Sequence, residues 1–190
     1  MSDAFDFLAA RRSVPHRMLR APVPDRAELE RILTVALRVP DHGKLEPWRL
    51  VVIGPAAMPR LADLAEARAR ATGGDDKRIA KGRGQYDTGR LAVAVISTPV
   101  THPRIPEIEQ ILSAGALCMA LVTAATAAGW GACWLTGWPA HDPDFAAQAF
   151  GCTPSERVAG LIHIGSRPEA PLPPDRPRPD PAARVRWLDA

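Results

Sequence analysis

The feature that most limits what this chain can fold into is an uncharged stretch that runs from Ile111 to Ala140. A run of this length could cross a membrane as a helix. Its residues are mainly alanine, threonine, serine and glycine, however, and large aliphatic residues are few. Gly129 and Gly131 would also end a helix where a turn into a strand fits better. We therefore predict a core helix from Glu107 to Ala128, with a membrane span as the alternative.

Hydrophobic periodicity predicts several further helices around this one. Asp25 and Glu28 have the spacing of a capping box, and residues 29–37 repeat apolar side chains at helical intervals. Helices are also predicted over 4–12, 56–72 and 142–150. Residues 75–83 restart a helix only weakly, and the glycines of this region predict a mobile, loop-like segment over 73–90.

Four short apolar runs, at 50–53, 91–96, 131–136 and 157–164, predict strands. Residues 185–188 alternate like an edge strand. Helices packed around a sheet of four to five strands define an α+β domain, and 190 residues suit one such domain. Seven prolines between 168 and 181 predict an extended tail over 167–190. We expect its apolar tip to dock on a partner subunit.

The loop Arg38–Trp48, with sequence RVPDHGKLEPW, gathers polar groups between a helix and a strand. Pro40 ends the preceding helix and Pro47 leads into the strand. Loops that carry polar groups between packed elements often bind ligands. From these residues alone, a ligand-binding loop and a plain helix–strand connection are both open.

Charge and cysteine usage narrow the class of protein. The net charge is +3, with 24 basic and 21 acidic residues interspersed along the chain. No nucleic-acid-binding module is recognisable, so a small anionic ligand is the more economical partner. The three cysteines have no metal-site spacing, and the first ten residues lack the pattern of a signal peptide. These features predict a cytoplasmic protein without a bound metal.

The sequence contains no Walker loop, no GxGxxG after a strand, no HExxH and no GxSxG. No nucleophile–base pair can be located either. Any chemistry is therefore expected to belong to a bound cofactor, for which the protein supplies charge and orientation.

The order of several short motifs resembles the FMN-dependent nitroreductase family. Arg11-Arg12-Ser13 is followed by the Pro40–Trp48 loop and an apolar strand. Further matches resemble the bacterial YdjA-type subgroup of NAD(P)H nitroreductases: Arg38 with Pro40-Asp41-His42, Gly74-Asp75-Asp76-Lys77, Ser113-Ala114-Gly115, Trp134 with Gly137, Ala149-Phe150-Gly151-Cys152 and Pro179-Asp180-Pro181. The resemblance covers nearly the whole chain. It implies a nitroreductase-like fold with a central mixed sheet, in an intertwined homodimer that binds FMN at the subunit interface.

The resemblance also implies roles for individual residues. Arg11, Arg12 and Ser13 would hold the flavin phosphate and ribityl chain. Residues Trp134, Leu135, Thr136 and Gly137 would lie along the isoalloxazine ring. Arg38 and His42 would reach the flavin from the partner subunit. Simpler readings stay open, in which the arginines are a charge pair at a helix C-terminus, His42 is a loop hydrogen-bonder and Trp134 belongs to the core.

The sequence departs from the family pattern at three places. Pro15 stands where many members carry a basic residue, so His16 or Arg17 would have to supply that charge. Glu46 replaces the glutamine that commonly precedes Pro-Trp. Arg176 and Arg178 resemble a basic pair that contacts phosphate in many members, but the YdjA-type pattern does not keep this pair reliably.

The resemblance implies ping-pong hydride transfer from NAD(P)H through FMN to a nitroaromatic, a quinone or a similar acceptor. The choice between NADH and NADPH is not readable from the sequence. Two other classes stay open: a non-catalytic flavin-binding, storage or sensing module, and a structural or nucleic-acid-associated protein. An enzyme that keeps FMN but uses another acceptor is a further alternative.

Overall fold

A computed structural model of the chain describes residues 3–188, which form six α-helices and a four-stranded sheet. The helices are α1 (Asp3–Ala10), α2 (Arg26–Ala36), α3 (Met58–Ala71), α4 (Asp76–Asp87), α5 (Glu107–Ala127) and α6 (Pro143–Phe150). The strands are β1 (Trp48–Ile53), β2 (Leu91–Ser97), β3 (Gly131–Leu135) and β4 (Arg157–Gly165). The α+β class and the number of strands agree with the prediction.

The sheet has the order β1-β2-β4-β3, and each of its three strand pairs is antiparallel. The implied mixed sheet is therefore wrong for residues 3–188, because no parallel pair forms there. All seven residues of β2 are buried, since β2 lies between two strands and is covered on both faces. Residues 185–188, predicted as an edge strand, are an exposed coil.

Two apolar layers cover the two faces of the sheet. The first joins α2 and α5 to Val93, Val95 and Ile162. The second joins α3, α6 and Tyr86 of α4 to Ala94 and the opposite side of the strands. The predicted core position of α5 is confirmed, because Leu117, Cys118 and Leu121 are fully buried. By length and composition alone, α5 could also cross a membrane, and half of its most apolar window is buried inside the protein.

Capping residues explain where several helices begin. Asp25 and Glu28 form both hydrogen bonds of the predicted capping box at α2. Asp142 accepts from the Phe145 backbone amide at the start of α6, and Asp75 accepts from the Arg78 amide at the start of α4.

The weak helix predicted over 75–83 is confirmed as the regular helix α4, and the loop-like segment predicted over 73–90 is wrong, because α4 takes up its greater part. Gly82 is needed for packing there: a Cβ at this position would lie 2.6 Å from the Trp138 ring. Arg83 fastens α4 to α3 through ion pairs with Asp63 and Glu66, each 2.8 Å long.

Candidate functional site

The N-terminal arginines lie beside the edge strand β3. Arg11 follows directly on α1, and the Val14 amide donates to the Ala132 carbonyl at 2.9 Å. Leu19 packs so closely over Gly131 that a Cβ there would lie 2.7 Å from the leucine side chain. The segment 11–19 is therefore held against β3, which places the arginines near Trp134 and Leu135.

A cavity of about 610 Å³ opens between this segment, β3 and the proline-rich tail. Its lining contains Arg11, Arg12, Ser13, Pro15, His16, Arg17, Cys133, Trp134, Leu135, Pro173, Pro174, Asp175, Arg176 and Arg178. The volume lies within the range of small-molecule and cofactor sites. Five arginines against one aspartate make the cavity strongly basic, as an anionic group requires.

Arg11 and Arg12 are placed differently within this cavity. The Nη1 atom of Arg11 is buried and has no hydrogen-bond partner among residues 3–188. Arg12 donates to the Pro173 carbonyl at 2.6 Å and to the Pro174 carbonyl at 3.3 Å, which ties the tail to the site. An unpartnered guanidinium nitrogen is costly to bury, so Arg11 fits a phosphate oxygen that the protein itself does not supply.

The tail brings Arg176 and Arg178 into the same lining. Arg178 donates to the Asp175 carboxylate at 2.8 Å, and the Arg176 backbone amide donates to the same oxygen at 2.9 Å. Both arginines had only a weak signal in the sequence, whereas the structure brings them together with Arg11 and Arg12.

A second cavity, of about 440 Å³, adjoins the first. The two share His16, Arg17 and Leu135. The rest of the second lining consists of Ala80, Lys81, Gly84, Gln85, Thr88, Thr136 and Gly137. Together the cavities form one elongated site, which runs from the arginine cluster to the wall formed by α4.

The segment from Trp134 to Gly137 forms one side of this elongated site. Trp134 is 41% exposed, so it is not a core residue, and its indole nitrogen donates to the Ala159 carbonyl at 3.2 Å. The indole lies over Gly160, where a Cβ would be 2.2 Å from the ring nitrogen. Gly137 is equally restricted, because a Cβ there would lie 1.8 Å from Gln85 Nε2.

Burial shifts the pKa values of the titratable groups near β3 toward their uncharged forms. Partial burial lowers the pKa of His16, and Arg17 acts in the same direction, against a hydrogen bond with the Gly84 backbone. His16 is therefore neutral at pH 7, and Arg17 carries the positive charge at this place. Burial also raises the pKa of Cys133 to about 12, so this thiol is not a nucleophile.

The structure does not bring Arg38 and His42 into either cavity. His42 Nδ1 instead pairs with Glu109 of α5 at 2.5 Å. Ser113 anchors the loop to α5, since its hydroxyl accepts from Trp48 Nε1 at 3.1 Å and donates to the Pro40 carbonyl at 2.7 Å. The loop is therefore fixed against the N-terminal half of α5, and it lies outside the arginine-lined cavity of the same chain.

The backbone of this loop is unusually constrained. Gly43, Lys44 and Glu46 have φ values of 74°, 55° and 47°, in the left-handed region that L-residues avoid. A Cβ at Gly43 would also lie 2.5 Å from Ile105. Such strain persists where the surrounding structure holds it, and it is typical of functional loops.

Sequence reasoning missed Lys81, Gln85 and Thr88 as site residues. Their i, i+4, i+7 spacing places Lys81, Gln85 and the C-cap residue Thr88 on one side of α4, but the weak helix predicted over 75–83 stopped short of Gln85 and Thr88. Within residues 3–188, no group of three histidines, cysteines or carboxylates is placed to hold a metal ion.

The sequence matches the Nitroreductase family over residues 8–166, and the chain belongs to this family. It is 34% identical to the Escherichia coli K12 protein named "Putative NAD(P)H nitroreductase YdjA" over 164 residues, which cover 86% of this chain and 88% of that protein. It is 32% identical over 166 residues to a Haemophilus influenzae protein named "Putative NAD(P)H nitroreductase", with the same coverage of both chains. The family and subgroup predicted from the sequence are confirmed.

Solved structures confirm the nitroreductase-like fold. A nitroreductase-like protein from Bacillus cereus matches with a TM-score of 0.79 and 20% identity, covering 100% of this chain and 98% of that chain. A Bacteroides fragilis nitroreductase with bound FMN matches with a TM-score of 0.75 and 20% identity, covering 100% of both chains.

A buried histidine beneath the first cavity generates a prediction about pH. His163 is fully buried on β4, where it lies opposite Cys133 of β3. The centroids of the His163 and His16 rings are 5.5 Å apart. Neither ring nitrogen of His163 has a hydrogen-bond partner among residues 3–188. Burial lowers the pKa of His163 to about 3 from an ordinary 6.5. Between these values the unfolded chain binds more protons than the folded one, so stability falls as the pH drops through this window.

We expect the His163→Leu variant to lose this pH dependence. Between pH 7 and pH 5, protonation of His163 in the unfolded chain should lower the free energy of unfolding of the unmodified protein by about 2 kcal/mol. The variant lacks this group, so its free energy of unfolding should fall by about 2 kcal/mol less over the same range. Urea unfolding at both pH values measures the difference. His141→Gln, at an exposed histidine, serves as the control and should keep the slope of the unmodified protein. An unchanged slope in His163→Leu would contradict the assignment.

Proposed function

We propose that this protein is an FMN-dependent oxidoreductase that uses NAD(P)H to reduce a nitroaromatic, a quinone or a similar small acceptor. The observation that carries the proposal is the elongated site. One end of it is lined by arginines, and its middle is lined by the segment from Trp134 to Gly137. The names of the relatives support the same reading. Bound FMN would supply the chemistry, taking hydride from NAD(P)H and passing it to the acceptor in a ping-pong sequence.

The basic end suits the flavin phosphate. Arg11 and Arg12 provide guanidinium donors, and Ser13 provides a hydroxyl. Arg176 and Arg178 add charge from the tail. The buried, unpartnered Nη1 of Arg11 is the most specific support, since a phosphate oxygen would satisfy it.

The middle of the site suits the isoalloxazine ring. Trp134, Leu135, Thr136 and Gly137 would lie along the ring, and the absence of a side chain at Gly137 leaves room for Gln85 at this wall. At the α4 end, Arg17 and Lys81 would stabilise the negative charge that develops when the flavin accepts hydride. Because His16 is neutral, we assign the role of the missing basic residue at Pro15 to Arg17.

An absorption spectrum tests the proposal directly. Protein reconstituted with FMN should show the two visible bands of oxidised flavin, which should bleach anaerobically on addition of NADPH or NADH. Bands that persist would favour the non-catalytic flavin-binding module and contradict the reductase. Failure to take up FMN would contradict both.

Substitution of Arg11 should separate phosphate binding from ring binding. We expect Arg11→Met to weaken FMN binding about 10- to 100-fold, because a charge-assisted hydrogen bond is lost, and to leave riboflavin binding nearly unchanged. Quenching of flavin fluorescence measures both affinities. Arg60→Met, at an exposed arginine outside both cavities, is the control. An equal loss for both flavins would assign Arg11 to the fold instead of the phosphate.

We further propose that the functional unit is a homodimer with FMN at the subunit interface. Helix α5 exposes Ile108, Leu112 and Met119, and Leu112 is 64% exposed. Trp187 and Leu188 at the end of the tail are 79% and 78% exposed. Large apolar side chains in such numbers on a surface favour an interface with another subunit.

The dimer would account for Arg38 and His42. In a single chain they lie outside the arginine-lined cavity, on the loop anchored to the start of α5. A second subunit packed on α5 could deliver this loop to the site of its partner. The 167–190 extension would then dock on the partner as part of a single-domain subunit.

A complementation experiment tests whether each site draws on both chains. Arg11→Met and Arg38→Met homodimers should each retain little FMN. In a co-expressed, differently tagged heterodimer, one site carries both substitutions and the other carries neither, so about one FMN per dimer should return. Arg11→Met paired with Arg12→Met is the control, because each site then keeps one defect and no recovery is expected. Absence of recovery in the first pair would contradict the shared site.

The composition and the family favour a cytoplasmic protein whose partners are its own second copy and small molecules. No nucleic-acid or membrane partner is part of the proposal. Helix α5, which alone has the length and composition for a membrane span in the described part of the chain, contributes buried leucines to the core.

A further inference from the structure

Gln85 is a buried side chain whose hydrogen-bonding capacity the protein leaves unused. The residue is 6% exposed, lies on α4 and lines the second cavity. Its Oε1 atom has no hydrogen-bond partner within residues 3–188. Its Nε2 atom lies against Gly137, within 1.8 Å of the place that a Cβ there would occupy. A buried, unpartnered carboxamide oxygen destabilises a protein, so its retention calls for a partner.

A second buried glutamine shows what a purely structural carboxamide looks like in this fold. Gln110 accepts from the Val100 amide at 2.9 Å and donates to the Val100 carbonyl at 2.8 Å. Its role is complete inside the protein, where it pins the segment after β2 to α5. Gln85 has no such arrangement, although it is similarly buried.

The position of Gln85 limits what its partner can be. It lies at the α4 end of the elongated site, whose other polar side chains are those of His16, Arg17, Lys81, Thr88 and Thr136. A flavin with its phosphate among the arginines would turn its polar pyrimidine edge, not its dimethylbenzene edge, toward this wall. That edge is an imide, with one N–H donor between two carbonyl acceptors.

We propose that the Gln85 carboxamide pairs with this imide edge and makes the site specific for flavins with a free N3–H. The side-chain oxygen would accept from N3–H while the side-chain nitrogen donates to a neighbouring ring carbonyl, so that one planar group satisfies two complementary ones. Rotation about the last torsion of glutamine is soft, so the carboxamide can turn its oxygen toward the ring. The proposal rests on the FMN-dependent function given above.

The test compares FMN with 3-methyl-FMN, an analogue that differs only by a methyl group on N3. The unmodified protein should bind the analogue about 10- to 100-fold more weakly, because the Gln85 oxygen is then left unpaired. This comparison needs no variant. Equal binding of the two flavins would overturn the assignment of Gln85, whereas failure to bind FMN at all would overturn the proposed function.

Two variants separate recognition from folding. Gln85→Met keeps the length of the side chain and removes the unpaired oxygen, so the protein without flavin should melt at an equal or higher temperature. The same variant should bind FMN about 10-fold more weakly and lose the discrimination against the analogue. Gln110→Met should lower the melting temperature of the protein without flavin, because the hydrogen bonds to Val100 are lost. It should still bind FMN more tightly than 3-methyl-FMN. A Gln85→Met variant that melts lower and still discriminates would show that Gln85 acts only in the fold.

Discussion

The whole candidate site depends on one close contact between the N-terminal segment and the edge strand β3. The Val14–Ala132 hydrogen bond and the packing of Leu19 on Gly131 bring two parts of the chain together that are more than 100 residues apart in sequence. Because of this contact, Arg11 lines the same cavity as the β3 residues Trp134 and Leu135. Without it, the arginines would be charges at the end of a short surface helix.

Local patterns were sufficient to predict most of the fold. Helical periodicity identified α2, the uncharged stretch identified α5 and short apolar runs identified the four strands, and the capping box at Asp25 is present as predicted. Helix α4 was predicted only weakly and only to residue 83, because glycine was interpreted as a breaker, whereas Gly82 makes room for the Trp138 ring. Contacts of that kind join distant segments and leave no local signal. The expectation of a mixed sheet came from the resemblance, and the antiparallel pairing corrects it.

The residues of the candidate site were predicted only in part. Those that were missed depend, like the packing of Gly82, on contacts between segments that are distant in the sequence. The resemblance located Arg11-Arg12-Ser13 and the Trp134–Gly137 segment, which do line one continuous site. It could not show that the tail folds back onto the N-terminal segment. The hydrogen bonds from Arg12 to the Pro173 and Pro174 carbonyls join residues more than 160 positions apart, and backbone carbonyls leave no signal in the sequence. Gln85 escaped notice because an unpartnered atom can be recognised only once its surroundings are known.

The ion pairs that attach α4 to α3 have a consequence for how the ligand specificity of such a protein can change in evolution. Arg83 holds the helix to α3 through carboxylates on that helix, while Lys81 and Gln85 face the cavity. Substitutions on the cavity side would therefore leave both the mounting and the arginine cluster intact. Selection could therefore alter recognition at the α4 end of the cavity while the fold and the arginine-lined end stay unchanged, so that one scaffold can supply many catalysts.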